Sequence, residues 1–270
     1  MKYIDVHAHL HDKAFNEDRE IVISEMKKKG IGAITVGTDY IQSQKAVELA
    51  EKHSNIWATV GFHPVDNKEE TFDVLRYMEL ANHPKVVAIG ECGLDYYWPT
   101  EEGKMTEEEK ERQKKIFKAQ IDLSIRVSKP LMLHGRPSKG SMDAYEDMLS
   151  MLYEHKGIVS GNAHFFVGDT SIAKRFLDLG FTMSFPGVVT FAKEIGETVC
   201  FVPLASMHAE TDSPYATPLP HRGKRNSPLY VPIIVEKLAE LKKESTEAMQ
   251  KKLLENAREM FAVDKIASKE

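Results

Sequence analysis

Eight short apolar runs, separated by segments of helical periodicity, constrain this 270-residue chain more than any other feature. The runs begin with Tyr3 to Leu10 and continue with Ala33 to Gly37, Trp57 to Gly61 and Val86 to Gly90. Pro130 to Leu133, Gly157 to Ser160, Phe181 to Ser184 and Met207 to Glu210 complete the set. Helical spacing falls between them, from Glu17 to Lys29, Ile41 to Glu51, about Glu69 to Leu80, and Met142 to His155. Thr106-Glu107-Glu108-Glu109 reads as a capping box opening a long helix to about Val127. Ser171 to Leu179 and a weaker segment, Phe191 to Phe201, follow the same rule, and the tail holds two more, Val231 to Leu241 and Glu247 to Met260. Strands that alternate with helices pair in parallel. Eight such units predict a closed (β/α)8 barrel, a TIM barrel, as one domain over residues 1–270. The competing arrangement is an open doubly wound sheet, but no Gly-x-Gly-x-x-Gly follows the first run, which argues against a dinucleotide site.

The same runs end in a recurring way. His7 and His9 close the first, His63 follows the third and Glu91 the fourth, while His134, His164 and Asp212 follow the fifth, sixth and eighth. In a barrel these positions meet at one mouth, where catalytic side chains gather. Alternation on a strand places Asp5, His7 and His9 on one face. Taken alone, His-x-His fits half a metal site or an ordinary hydrogen-bonded pair. Four histidines and two carboxylates exceed what one tetrahedral metal needs and suit two metals sharing a carboxylate. Strand neighbours in a closed barrel predict His7, His9 and Asp212 around one ion and His134 and His164 around the other, with Glu91 between them. Imidazole-rich ligation points to Zn, Mn, Ni, Co or Fe rather than Ca, with Mg a further candidate, and leaves the metal open.

Composition narrows the class. A formal net charge of −5 argues against non-specific coating of nucleic acid, though not against a local basic patch. No apolar run approaches membrane-spanning length, and the chain enters a strand almost at once, so neither a membrane span nor a signal peptide is expected. Two cysteines, Cys92 and Cys200, are too few for a disulfide framework and suggest a reducing, cytoplasmic setting. No stable protein partner is expected.

The chain resembles the TatD family of metal-dependent deoxyribonucleases, within the amidohydrolase-like barrels, nearly end to end. The matching motifs are Asp5-Val6-His7-Ala8-His9-Leu10, Gly61-Phe62-His63-Pro64 and Gly90-Glu91-Cys92-Gly93-Leu94-Asp95-Tyr96. Further along come Arg112-Gln113, Leu133-His134-Gly135-Arg136, Glu210-Thr211-Asp212-Ser213-Pro214-Tyr215 and Arg222-Gly223-Lys224-Arg225-Asn226. The resemblance implies a barrel, a divalent metal centre and hydrolysis of DNA phosphodiesters, often from the 3′ end of single strands. It implies His7, His9, Glu91, His134, His164 and Asp212 as metal ligands, Asp212 also as general acid/base, and His63 as a phosphate contact. The chain departs from the family pattern at His164-Phe165-Phe166-Val167-Gly168, where a small polar residue is lost before the glycine. It departs again at Tyr97 and at Phe185-Pro186-Gly187.

A phosphodiester needs an activated water and positive charge on its oxygens. Glu91 and Asp212 are the catalytic carboxylates in this reading, with Asp212 moving the proton. His63 and Arg136 are candidates for the phosphate, Lys224 and Arg225 for steering the strand, and Tyr96 or Trp98 for stacking a base. The same residue types also fit plainer roles. Arg222 to Arg225 reads equally as a solvated loop, Tyr96 to Trp98 as packing over the rim, and Asp95 as a group that orders a ligand histidine. His11, His53, His83, His155, His208 and His221 fall outside the ligand set and read as structural or surface residues. Two rival functions stay open: a carbonyl-directed hydrolase (amidase, lactonase or aminoacyl-tRNA deacylase) on the same centre, and a non-catalytic metal-binding scaffold.

Overall fold

A computed structural model describes residues 1–66, 71–97 and 105–264. Its eight strands are β1 Tyr3–Ala8, β2 Ile31–Val36, β3 Ile56–Val60, β4 Val86–Asp95, β5 Leu131–Arg136, β6 Gly161–Ala163, β7 Thr182–Phe185 and β8 Met207–Ala209. They pair in parallel in sequence order. A parallel bridge from Ala8 to Ser213 joins the last strand's exit to the first strand, so the sheet wraps into the expected TIM barrel. Helices α1 Arg19–Lys29, α2 Tyr40–Lys52, α3 Val74–Ala81, α4 Glu107–Val127, α5 Asp143–Tyr153, α6 Thr170–Asp178 and α7 Gly196–Phe201 alternate with the strands. Two more, α8 Val231–Lys242 and α9 Thr246–Phe261, close the chain. Among the described residues no helix is long and apolar enough to cross a membrane.

Local chemistry sets most boundaries. Asp39, Asp73, Thr106, Asp169 and Ser245 each accept a backbone N–H of the first turn of the helix they precede, each such cap contributing roughly 1 kcal/mol. Gly30 ends α1 at φ 71°, a left-handed geometry that costs glycine nothing.

The two faces of the strands pack differently. Ile31, Ala33, Ile56, Ala58, Leu131 and Leu133 join the helices in the outer layer. Ile4, Val6, Ile34, Val36, Trp57, Val87 and Met132 form a second cluster with Phe261 and Val263. The alternation along β2, β3 and β5 puts that second cluster inside the barrel, where the end of α9 plugs its floor. The interior beside β6 to β8 is instead polar. Asn162 donates to Ser184 Oγ at 2.7 Å, Thr182 Oγ1 lies 3.2 Å from Asn162 Oδ1, and His208 Nε2 lies 2.9 Å from Thr182 Oγ1.

Several boundaries differ from the sequence reading. The run Gly157 to Ser160 is not a strand: Val159 N–H donates to His155 O in a tight turn, and Ile158 is exposed. The strand there is Gly161-Asn162-Ala163, whose inward Asn162 hides it from an apolar pattern. The segment Phe191 to Phe201 is not one helix, since 3₁₀ turns at Gly187–Thr190 and Lys193–Ile195 precede the short α7. β4 runs on past Gly90, so Glu91 lies within the strand rather than after it. Trp98 and the expected helix start near Glu69 lie outside the described residues.

Candidate metal centre

Two interruptions of strand register aim the key side chains. In β1 the pairing shifts between Asp5 and Ala8, and in β4 between Ile89 and Cys92. An extra residue at such a point turns a side chain out of strict alternation. Asp5 therefore does not share a face with His7, as the sequence alternation had it. Asp5 pairs in register with Ala33 of the outer layer, and its carboxylate accepts from Thr211 N at 2.8 Å and Thr211 Oγ1 at 2.5 Å. Burial pushes its carboxyl up to about 8, against the lowering effect of these hydrogen bonds. Gly90, at φ 152°, lets β4 lie against β5; a Cβ there would sit 2.7 Å from the Met132 Cβ.

Six of the expected residues converge. Glu91 lies in the middle, with Oε2 3.4 Å from His7 Nε2 and 3.8 Å from His9 Nε2. Its Oε1 is 2.9 Å from both His134 Nδ1 and His164 Nε2. Asp212 Oδ1 stands 3.5 Å from His9 Nε2 and 3.8 Å from His7 Nε2. Among the described residues four groups of ligand atoms are each compact enough to hold an ion: His7, His9 and Glu91; Glu91, His134 and His164; His7, His164 and Glu210; and His63, Asp95 and His134. Glu91 belongs to the first two, and Asp212 borders the first through His9 and His7.

The donor chemistry fits a metal. Both ring nitrogens of His7 are buried without a hydrogen-bond partner, and such orphaned polar atoms are uncommon in native interiors. His7 Nε2 faces the carboxylates of Glu91 and Asp212 at 3.4 and 3.8 Å, a spacing that suits an ion between them. Burial, then the neighbouring His164, lowers the His7 imidazole to about 4, so it is a neutral ligand at ordinary pH. Burial alone would raise Glu91, but His164, His63 and His7 outweigh it and hold its carboxyl well below the usual range.

Other side chains hold the ligands in place. His9 Nδ1 lies 2.9 Å from Val36 O, which leaves Nε2 facing Asp212. His134 Nε2 meets Asp95 Oδ2 at 3.0 Å. Burial would lower His134, yet Asp95 and Glu91 outweigh it and raise the imidazole to about 9. Glu210, fully buried, stands 3.5 Å from His164 Nδ1. It also accepts the Phe165 N–H at 2.7 Å and the Ser184 hydroxyl. Carboxylates behind metal-site imidazoles fix ring orientation and raise ligand basicity. Glu210 was missed in the sequence; its clue was its place two residues before Asp212 at the end of β8. Asp212 and Phe165 take left-handed φ values of 53° and 46°, local strain of the kind that gathers at functional sites. Asp212 is held there by its N–H to His7 O at 2.9 Å.

A cleft of about 910 Å³ opens above these groups. His63 and Arg136 line it. His63 Nδ1 bonds Asp66 at 2.8 Å while Nε2 stands 3.6 Å from Glu91, and the Arg136 guanidinium lies 3.8 Å from the centre of the Tyr97 ring. The remaining expected contacts are elsewhere. Tyr96 is 2% exposed with its hydroxyl on Asp147, so its ring cannot receive a base. Arg225 is bound to Asp18 at 2.6 and 2.8 Å and to Ala14 O, tying two loops together rather than facing the cleft. Lys224 is exposed and does not line the cleft. In the departing segment, Phe166 packs among Tyr145 and Phe176, while Val167 sits at the cleft's rim.

Comparison with known proteins agrees with this geometry. The family model described as TatD related DNase matches residues 4–262. The chain belongs to the TatD family. It is 38% identical over 265 residues to the uncharacterized metal-dependent hydrolase YabD of Bacillus subtilis, covering 96% of this chain and 99% of that one. It is 33% identical to the uncharacterized metal-dependent hydrolase YcfH of Escherichia coli K12, covering 98% and 97%. The crystal structure of the TatD homologue YjjV from E. coli K12 superposes with a TM-score of 0.83 at 25% identity, covering 97% of this chain and 98% of that one. The protein is thus a metal-dependent hydrolase of the TatD type on a TIM barrel, and its His, Glu and Asp cluster suits divalent metal.

Proposed function

We propose that this chain is a deoxyribonuclease that cleaves phosphodiester bonds of single-stranded DNA from the 3′ end, acting in the cytoplasm without a stable protein partner. The observation that carries this reading is one carboxylate, Glu91, shared by two histidine groups beneath a cleft lined by Asp212, His63 and the Arg136 guanidinium. His7, His9 and Asp212 would hold one divalent ion and His134 and His164 the other, with Glu91 between. When bound, such ions (Zn, Mn, Mg, Ni or Co) supply Lewis acidity and lower the pKa of a coordinated water.

The chain's own residues do the rest. Asp212, partly exposed at the cleft floor, takes a proton from the attacking water and delivers one to the departing 3′ oxygen of the penultimate nucleotide. The P–O bond to that oxygen breaks as the new P–O bond forms, giving a released nucleotide monophosphate and a shortened strand. His63, braced by Asp66, and Arg136, stacked on Tyr97, bind the non-bridging oxygens, with Arg suited to a two-point grip. Asp95 and Glu210 keep the His134 and His164 rings oriented.

The test is incubation of metal-reconstituted protein with 3′-labelled single-stranded DNA, beside EDTA-treated and Asp212→Asn samples whose metal content is measured. Stepwise loss of label, abolished in both controls, supports the reading. Absence of cleavage with metal bound overturns it in favour of a carbonyl substrate.

A further inference from the structure

A second cleft, of about 580 Å³, opens beside the metal centre between the loop after β1 and helix α2. His11, Asp12 and Gln42 line both clefts, so the two adjoin. Lys13, Arg19, Lys45 and Lys52 line the side cleft against only two carboxylates, Asp12 and Glu48, in a chain whose net charge is −5. The local sign is therefore opposite to that of the whole molecule.

These cations are not consumed by the fold. Lys13, Lys45 and Lys52 are exposed, and among the described residues they form no ion pair. Elsewhere on the surface Lys28, Lys114, Lys174 and Lys237 each sit on a carboxylate. Arg19 is fixed by backbone carbonyls of Leu10, His11 and Asp12 at 2.7 to 3.0 Å and by Asn16 Oδ1 at 2.9 Å. Neutral acceptors leave its charge uncompensated. A set of unpaired cations in a cleft adjoining a site is the electrostatic signature of a path for a polyanion.

We propose that the side cleft carries the part of the DNA strand upstream of the scissile bond, with Lys13, Lys45 and Lys52 contacting successive phosphates. This rests on the nuclease reading above and adds a direction to it: the 3′ end enters the metal centre and the 5′ portion leaves over α2. Contacts of this kind are made to the backbone, so binding through the cleft is indifferent to base sequence.

The experiment compares wild type with K13Q/K45Q/K52Q, three surface changes outside the metal centre. Binding of 5′-fluorescein dT2 and dT8 is followed by anisotropy in EDTA, from 50 to 200 mM salt, with poly-glutamate as a competing polyanion. Hydrolysis of bis(p-nitrophenyl) phosphate by the metal-loaded proteins is measured in parallel. Wild type is expected to bind dT8 more tightly than dT2, and the variant to lose that advantage. Each phosphate contact on a single strand contributes about 0.7 to the slope of log affinity against log salt. Losing three lowers the slope by about two, about a 20-fold difference over that salt range. Unchanged dT8 affinity and slope in the variant, or poly-glutamate bound as tightly as dT8, overturns the proposal even if hydrolysis is intact. Lysine-dependent dT8 binding without hydrolysis of any phosphodiester leaves the cleft standing and removes the nuclease reading instead.

Discussion

His208 offers a direct test of the polar barrel interior. It is fully buried on β8, with Nε2 on Thr182, Nδ1 without a partner, and its ring 5.7 Å from Phe261 at the plugged floor. Burial holds its imidazole at about 3, against about 6.5 in an unfolded chain. The folded state keeps the ring neutral while the unfolded chain takes a proton as pH drops below 6.5. Its effect on stability is therefore absent above neutral pH and grows as pH falls toward 3. At pH 5, about 1.5 pH units below the unfolded value, it favours unfolding by about 2 kcal/mol. His208→Gln removes the titration and keeps a donor for Thr182. In urea unfolding of metal-free protein at pH 5, 6, 7 and 8, the variant is expected to gain about 2 kcal/mol on wild type between pH 7 and 5. His7 and His11, lowered to about 4 and about 3, are present in both proteins and cancel in the comparison. A difference that does not change with pH would show that the His208 ring is hydrated or already protonated in the fold, and would refute the reasoning.

Other outcomes follow from the same geometry. Glu210→Gln removes the charge 3.5 Å from His164 Nδ1 and is expected to weaken metal binding by about 10- to 100-fold, read by competition with a chelator; unchanged affinity would show that Glu210 does not act on the centre. His134 carries a proton below about 9 in the metal-free protein, and His164, which burial would lower, is raised well above its ordinary value by Glu91 and Glu210; both must lose a proton to ligate. Metal affinity should thus rise by up to about a hundredfold per pH unit from neutral pH toward 9, with calorimetry in buffers of different ionisation enthalpy detecting the released protons. Phe261→Ala opens the barrel floor and is expected to cost about 3–5 kcal/mol in urea unfolding, with the metal affinity of the folded protein unchanged.

The order of strands and helices was legible because each element carries its own signal. Apolar runs of strand length, helical spacing, Thr106 as a cap and Gly30 as a stop are all local. The convergence of His7, His9, Glu91, His134, His164 and Asp212 was legible too, because a closed barrel brings its strand ends to one place whatever their sequence separation. β6 was displaced in the reading because its Asn162 faces a polar interior, while the nearby Ile158 is apolar and exposed.

What the sequence determined alone was therefore the topology and the identity of the residues at the mouth. Tertiary structure decided which way each of them points and what stands behind it. The register shift in β1 set His7 apart from Asp5, whose carboxylate sits on Thr211, and the shift in β4 brought Glu91 to the middle. Packing over the rim buried Tyr96, and Asp18 claimed Arg225, so neither faces the cleft. The side groove exists only because the loop after β1 and helix α2 lie together. Side-chain type is written in the chain, but direction, burial and partner depend on which distant segments occupy the same few ångströms, and those are set by packing the whole barrel at once.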